Sequence, residues 1–413
     1  MPKHSRVRAR KSTPAEWQFP AHFRRGCFGW KGSRLAIQRI KQAVGEITRA
    51  ARRDPELGAE GAIRLIEKLS PALEHVDSSS GALGNAVNAA LEQLVPVISQ
   101  APAPIQVRER WLERLFEAHA ADAMPYIEIL ADHWGELCGS RELASSWADR
   151  LLGITRMALS PDKSLRGHFH GTTACLSALL RAERHLELFE LLRHEGFWAY
   201  KRWAVLALAA QGKADEAIAL AEASRGPWTS EGDVNRLCEE ILLSTGRAQE
   251  AYERYGLVAP RGGTYLSVFR EVSRRYPLKQ KAEILRDLIK TTPGEEGKWF
   301  ATAKEIGEYE LALVLADRSP CDPRTLTRAA RDFSTSSPAF ACGAGLAALK
   351  WLVRGYGHDL TALDIWSPYT CVLKAAEHLG IFAETRERIR QLVATEDAGG
   401  FVRRVLGREL RLD

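Results

Sequence analysis

The side chains best suited to chemistry lie between residues 168 and 236. His168 and His170 flank Phe169 and offer two imidazoles, groups that carry protons and bind metals near neutral pH. On a helix they would diverge by about 200°. No Asp or Glu stands close in sequence and no third ligand is marked, so the pair predicts no metal site. Trp198, Tyr200 and Trp203, with Phe197 ahead of them, alternate with Lys201 and Arg202. Mixed basic and aromatic groups can grip a peptide or stack nucleobases, and the same composition fills a core between helices. Hydrolase, phosphate-loop and zinc-protease signatures are absent. No Ser occupies a Gly-x-Ser-x-Gly elbow, no glycine-rich phosphate loop follows a strand, and no His-Glu-x-x-His occurs. His358-Asp359, within Gly355-Tyr356-Gly357-His358-Asp359, reads as a helix-entry loop, and Gly262-Gly263 as a turn. The expectation is a chain that is not an enzyme and carries no cofactor.

The seven cysteines point the same way. The closest two, Cys321 and Cys342, are 21 residues apart, so no close ligand pair exists. Reduced, mostly buried thiols in a cytoplasmic protein are expected. Ala204–Ala210 is the longest apolar run and is far shorter than a membrane span. No apolar signal segment follows the basic start of the chain, so no membrane partner is expected.

The elements that must position these groups are helices. The chain has 413 residues, 45% hydrophobic and 27% charged, and is rich in Ala, Leu, Glu and Arg. Ile37, Ile40, Val44, Ile47 and Ala51 recur at three- and four-residue steps and predict an amphipathic helix over 34–53 with a basic outer face. Leu65, Ile66, Leu69, Ala72 and Leu73 mark a second helix, stopped by Asp77-Ser78-Ser79-Ser80-Gly81. A third runs from Ala82 to Ser99 and is closed by Ala101-Pro102-Ala103-Pro104. Further helices are expected over 106–119, 122–138 and 141–157. Thr13-Pro14-Ala15-Glu16 has the form of a capping box and predicts a short earlier helix.

Past a lapse at Ser160–Ser164 the pattern becomes periodic. Gln211-Gly212-Lys213-Ala214-Asp215-Glu216-Ala217 and Thr245-Gly246-Arg247-Ala248-Gln249-Glu250-Ala251 are offset by 34 residues, the tetratricopeptide period. Each glycine suits the left-handed residue of a helix-hairpin turn. Looser copies of the turn stand at Gly139, Glu183, Gly307 and Gly380. Arg202 and Arg236 share the same 34-residue offset and project equivalently in that register, with His170 nearby on the same surface. Stacked cations along the inner face of such an array would clamp carboxylates of an extended peptide.

At these turns the chain resembles tetratricopeptide repeats. Asp77–Gly81, Trp134-Gly135-Glu136-Leu137-Cys138 with Ala144–Arg150, and Ser319-Pro320-Cys321-Asp322-Pro323-Arg324-Thr325-Leu326 are also similar to an uncharacterised bacterial family of helical-repeat proteins. The same stretches resemble the helical region that follows the zinc finger of SWIM-type proteins, although the CxC and CxH pairs of that finger are absent here. The resemblance implies a helical-repeat fold and transfers no activity.

The expected architecture is therefore all-α: an α-solenoid of helix hairpins, tetratricopeptide-like in its C-terminal two-thirds. A basic arm (1–34), a helical-hairpin region (35–158), a repeat region (165–395) and a basic tail or capping helix (396–413) are expected to follow one another. The expected function is a scaffold or adaptor holding a protein partner in its concave groove, with His170, Trp198, Tyr200, Arg202, Trp203 and Arg236 lining it. The alternative is a nucleic-acid-associated role. Residues 1–53 carry fourteen Lys and Arg against Glu16 and Glu46, a net of +12, while the rest of the chain sums to −6. Arg6, Arg8, Arg10, Lys11, Arg24, Arg25, Lys31 and Arg34 would then meet phosphates.

Overall fold

A computed structural model describes residues 17–162, 164–260, 263–397 and 400–412. The capping box at 13–16 and the glycine at 262 lie outside them. The described residues form helices and connecting turns with no strand among them, an all-α chain. They divide into two compact units, 1–229 and 230–413.

The first unit contains α1 (Ser33–Ala51), α2 (Pro55–Leu73), α3 (Ala82–Ser99), α4 (Ile105–Ala120), α5 (Trp134–Leu137), α6 (Arg141–Ala158), α7 (Thr172–Arg181), α8 (His185–Leu192), α9 (Trp198–Ala210) and α10 (Ala214–Ala223). Each packs on the helices one or two places along the chain, as in an α-solenoid: α1 on α2 and α3, α6 on α7, α7 on α8 and α9, α9 on α10. The amphipathic stripe of α1 explains its place. Ala36, Ile40, Ala43, Val44 and Ile47 are buried while the basic residues face outward. Asp54 caps α2 by accepting from the Leu57 amide at 3.0 Å, with Pro55 at the first helical position.

The second unit contains α11 (Glu231–Ser244), α12 (Ala248–Ala251), α13 (Tyr265–Arg275), α14 (Lys281–Lys290), α15 (Phe300–Glu305), α16 (Tyr309–Arg318), α17 (Pro323–Asp332), α18 (Pro338–Val353), α19 (Ala362–His378), α20 (Phe382–Ala394) and α21 (Phe401–Leu410). It follows the same neighbour-on-neighbour rule, and α21 buries Val402, Leu406 and Leu410 against α18–α20. Residues 252–256 continue α12 as a π turn, where the bare Gly256 lets the Tyr276 ring approach. Gly355–Asp359 forms the loop entering α19, whose start is closed by a Thr361–Asp364 capping box.

Five of the six turn positions share one closure. Gly139, Glu183, Gly212, Gly246, Gly307 and Gly380 all have positive φ, from 57° to 84°. After five of them the next amide donates back to the carbonyl five residues earlier: Arg184 to Leu179, Lys213 to Leu208, Arg247 to Leu242, Glu308 to Ala303 and Ile381 to Ala376, at 2.9–3.0 Å. This is the Schellman bond that satisfies the last carbonyls of a helix while reversing the chain. Gly139 follows the single turn of α5 and lacks that bond; Ser140 instead caps α6 through the Leu143 amide.

One predicted element is not a helix throughout. Residues 122–127 are irregular, 128–133 form a 3-10 helix and only 134–137 are α-helical, in place of a helix over 122–138. Pro125 restricts Met124 and withholds an amide. The Asp122 carboxylate pins the bend, accepting from the Ile127 amide at 2.8 Å and from the Ser70 hydroxyl.

Candidate partner-binding cavity in the first unit

That irregular bend is what opens a site. It leaves a cavity of about 360 Å³ lined by His119 of α4, Asp122, Glu128, Ile129 and Asp132 of the bend, His168–His170 before α7, and Ala199, Tyr200 and Arg202 of α9. A second cavity of about 800 Å³ adjoins it, sharing Asp132 and lined further by Ser99, Glu136, Ser177, Arg181, His185 and Trp203.

Charge in the smaller cavity is held in fixed positions. Arg202 pairs with Asp132 across the wall and also donates to the Ala199 carbonyl at 3.1 Å. The Asp132 backbone carbonyl accepts from the Ser177 hydroxyl at 2.8 Å, which in turn accepts from the Gly135 amide at 3.0 Å. Arg202 is thus paired, while Asp122 and the exposed Glu128 are the other two carboxylates of the lining. Burial pushes the His119 imidazole below its ordinary range, with further repulsion from His170. Burial, then the neighbouring His168, lowers His170 as well. Both rings therefore favour the neutral form more than a free imidazole does, and the formal charge of the lining, three carboxylates against Arg202, is negative. Burial and the nearby Glu195 and Glu128 raise the Tyr200 phenol, keeping it a hydroxyl donor.

An aromatic shelf backs this lining. Phe116 lies 5.6 Å from Trp134, Trp147 and His170, measured between ring centres, and His119 stands 6.2 Å from His170. Glu195 is buried under Tyr200, taking a 2.7 Å ion pair from Arg166 and a 2.7 Å bond from the Phe197 amide. Tyr200 and Phe197 meet edge to face at 5.6 Å, with Phe197 largely exposed.

The structure brings His170, Tyr200 and Arg202 to one cavity. Trp198 and Trp203 are buried, Trp203 within the core and at the wall of the larger cavity. Arg236 belongs to the second unit, where it donates to the Ala259 carbonyl at 3.3 Å. His168 and His170 precede α7 in an irregular segment, so both line the same cavity and do not diverge as on a helix. No group of three metal-ligating side chains occurs among the described residues. A single helix over 122–138, as the apolar rhythm predicts, would not bring Glu128 and Asp132 to the site; Met124-Pro125 is the signal that the chain bends there.

Three of the buried thiols are held as thiols. Burial raises Cys138 and Cys321 to about 12 and Cys175 to about 11, far from the thiolate form at neutral pH. No described helix is long and apolar enough to cross a membrane. In the basic N-terminal segment, Arg24, Lys31 and Arg34 are exposed, and Arg25 pairs with Glu74 at 3.0 Å. Arg6, Arg8, Arg10 and Lys11 lie outside the described residues. No family model, no curated protein and no solved structure matches this chain.

Proposed function

We propose that this chain is a non-catalytic helical binding protein, a scaffold or adaptor that takes a basic segment of a protein partner at the cavity of its first unit. The observation that carries the reading is the cavity's charge. Arg202 is paired with Asp132, burial disfavours the charged form of His119 and His170 among the three lining imidazoles, and the carboxylates of Glu128 and Asp122 are left as the formal net charge. A clamp for carboxylates, as expected from Arg202 alone, does not suit that lining. A Lys or Arg side chain does: its stem can lie along Tyr200 and Phe169, and its head can meet Glu128. The larger neighbouring cavity gives room for the residues that flank such a side chain.

The experiment is capture of partner from native lysate by the full-length protein, wild type against Glu128→Arg. Glu128 is exposed, so the exchange leaves the helical circular dichroism unchanged. A protein retained by wild type and lost by Glu128→Arg supports the reading. Equal retention by both contradicts it.

A further inference from the structure

We infer that the outer face of α1 is a binding site for single-stranded nucleic acid, separate from the cavity described above. A hollow of about 630 Å³ lies between the turn at 17–22 and α1, lined by Trp17, His22, Arg39, Glu46, Arg49 and Arg53 among others. Arg39, Glu46, Arg49 and Arg53 recur at helical steps and so share one face. Among the described residues no carboxylate pairs with Arg39, Arg49 or Arg53. Nine Lys and Arg stand between Trp17 and Arg53, and among the described residues Arg25 alone of them has a carboxylate partner. Arg39 donates only to Gln42 and Arg49 only to the Gly45 carbonyl. Elsewhere several cations are held in ion pairs: Arg114 holds Glu60 and Glu67, and Arg184 holds Asp149 and Glu187. The one acid of the hollow, Glu46, is occupied in accepting the Gln18 and Phe19 amides at 2.9 and 3.3 Å, so its charge serves the turn.

Cations alone would fit any polyanion. Trp17 narrows the class. Its indole sits on Gly61, where an added Cβ would meet the ring at 2.4 Å, and it leans against Phe19 with ring centres 5.5 Å apart. The ring is held from behind and lines the hollow that the arginines border, the arrangement in which a base stacks while its phosphates meet guanidinium groups. Duplex nucleic acid offers its phosphates without an unstacked base for Trp17, and the indole, half-buried against Gly61, is not free to insert into a membrane interface.

The test is fluorescence anisotropy of a labelled 20-nucleotide oligo(dT) with the full-length protein over a range of KCl concentrations. Wild type is expected to bind at low salt and to lose affinity as salt rises. Arg39→Gln/Arg49→Gln/Arg53→Gln is expected to make the slope of log affinity against log salt shallower by about two. Trp17→Ala is expected to weaken binding about five-fold or more while leaving that slope unchanged. Circular dichroism confirms that each variant is folded, and Arg49→Gln/Arg53→Gln, both at exposed positions, serves as the milder form. Absence of oligonucleotide binding at low salt overturns the proposal. So does duplex of equal length binding as tightly with no dependence on Trp17. Binding to vesicles of anionic lipid without binding to the oligonucleotide, or an unchanged slope in the triple variant, overturns it as well.

Discussion

Arg108 shows how a charge is kept inside this protein without a counter-ion. It is buried, and its guanidinium donates to the carbonyls of Ile98, Ala101 and Leu137, at 3.0, 2.5 and 3.2 Å. These oxygens lie at or just beyond the C-terminal ends of α3 and α5, where the helix dipoles are negative. Arg108→Met removes those donors in one step and is expected to cost about 2–4 kcal/mol in urea unfolding; a loss below about 0.5 kcal/mol would show the contacts to be incidental. His119 sets a different expectation. Its folded imidazole is held below the ordinary 6.5 mainly by burial, so the unfolded chain binds the proton more readily. Its contribution to stability is complete above about pH 6.5 and is lost as the pH falls. Thermal melts between pH 7 and 5 should therefore decline more steeply for wild type than for His119→Gln. Glu239, which burial pushes upward, titrates in the opposite sense and is common to both proteins, so the difference between them isolates the imidazole.

The hairpin turns carry the argument among elements. Gly212 has φ of +78° with open space around the missing Cβ, whereas a Cβ on Gly139, at +72°, would stand 2.9 Å from the Arg108 guanidinium. Gly212→Ala is expected to cost about 1 kcal/mol, from the left-handed backbone alone. Gly139→Ala should cost at least about 1 kcal/mol more, because it also displaces Arg108; equal costs would argue against that coupling. These turns were legible in the sequence because glycine is nearly obligatory where φ is positive, and the apolar steps of α1 and the Pro-rich stop after α3 were legible for equally local reasons. The bend at 122–133 was not. Its apolar residues Ile127, Leu130, Ala131 and Trp134 retain a helical rhythm while Pro125 and the Asp122 clasp break the backbone beneath them. The candidate cavity depended on that bend, so its acidic side, Glu128 and Asp132, stayed hidden while His170, Tyr200 and Arg202 were visible. The pairing of Arg202 with Asp132 was not legible either, since it spans 70 positions of sequence.

At the scale of the whole chain, composition marked a basic start on a net-acidic remainder, and the structure adds that the basic face of α1 has no carboxylate partner among the described residues. Periodicity could not mark where compact units end, because helix packing of the same kind occurs on either side of residue 229. The connecting segment has exposed residues, Trp228 among them at 91%, and limited trypsin digestion should cut first near Arg225 and leave two resistant fragments; first cuts inside either unit would contradict that division. Hydrogen exchange of the full-length protein with and without its captured partner tests the first unit's cavity as the binding site. Partner is expected to slow exchange at 128–132 and 198–202, the two segments that face each other through Asp132 and Arg202. Protection confined to other segments, with those two unchanged, would contradict it.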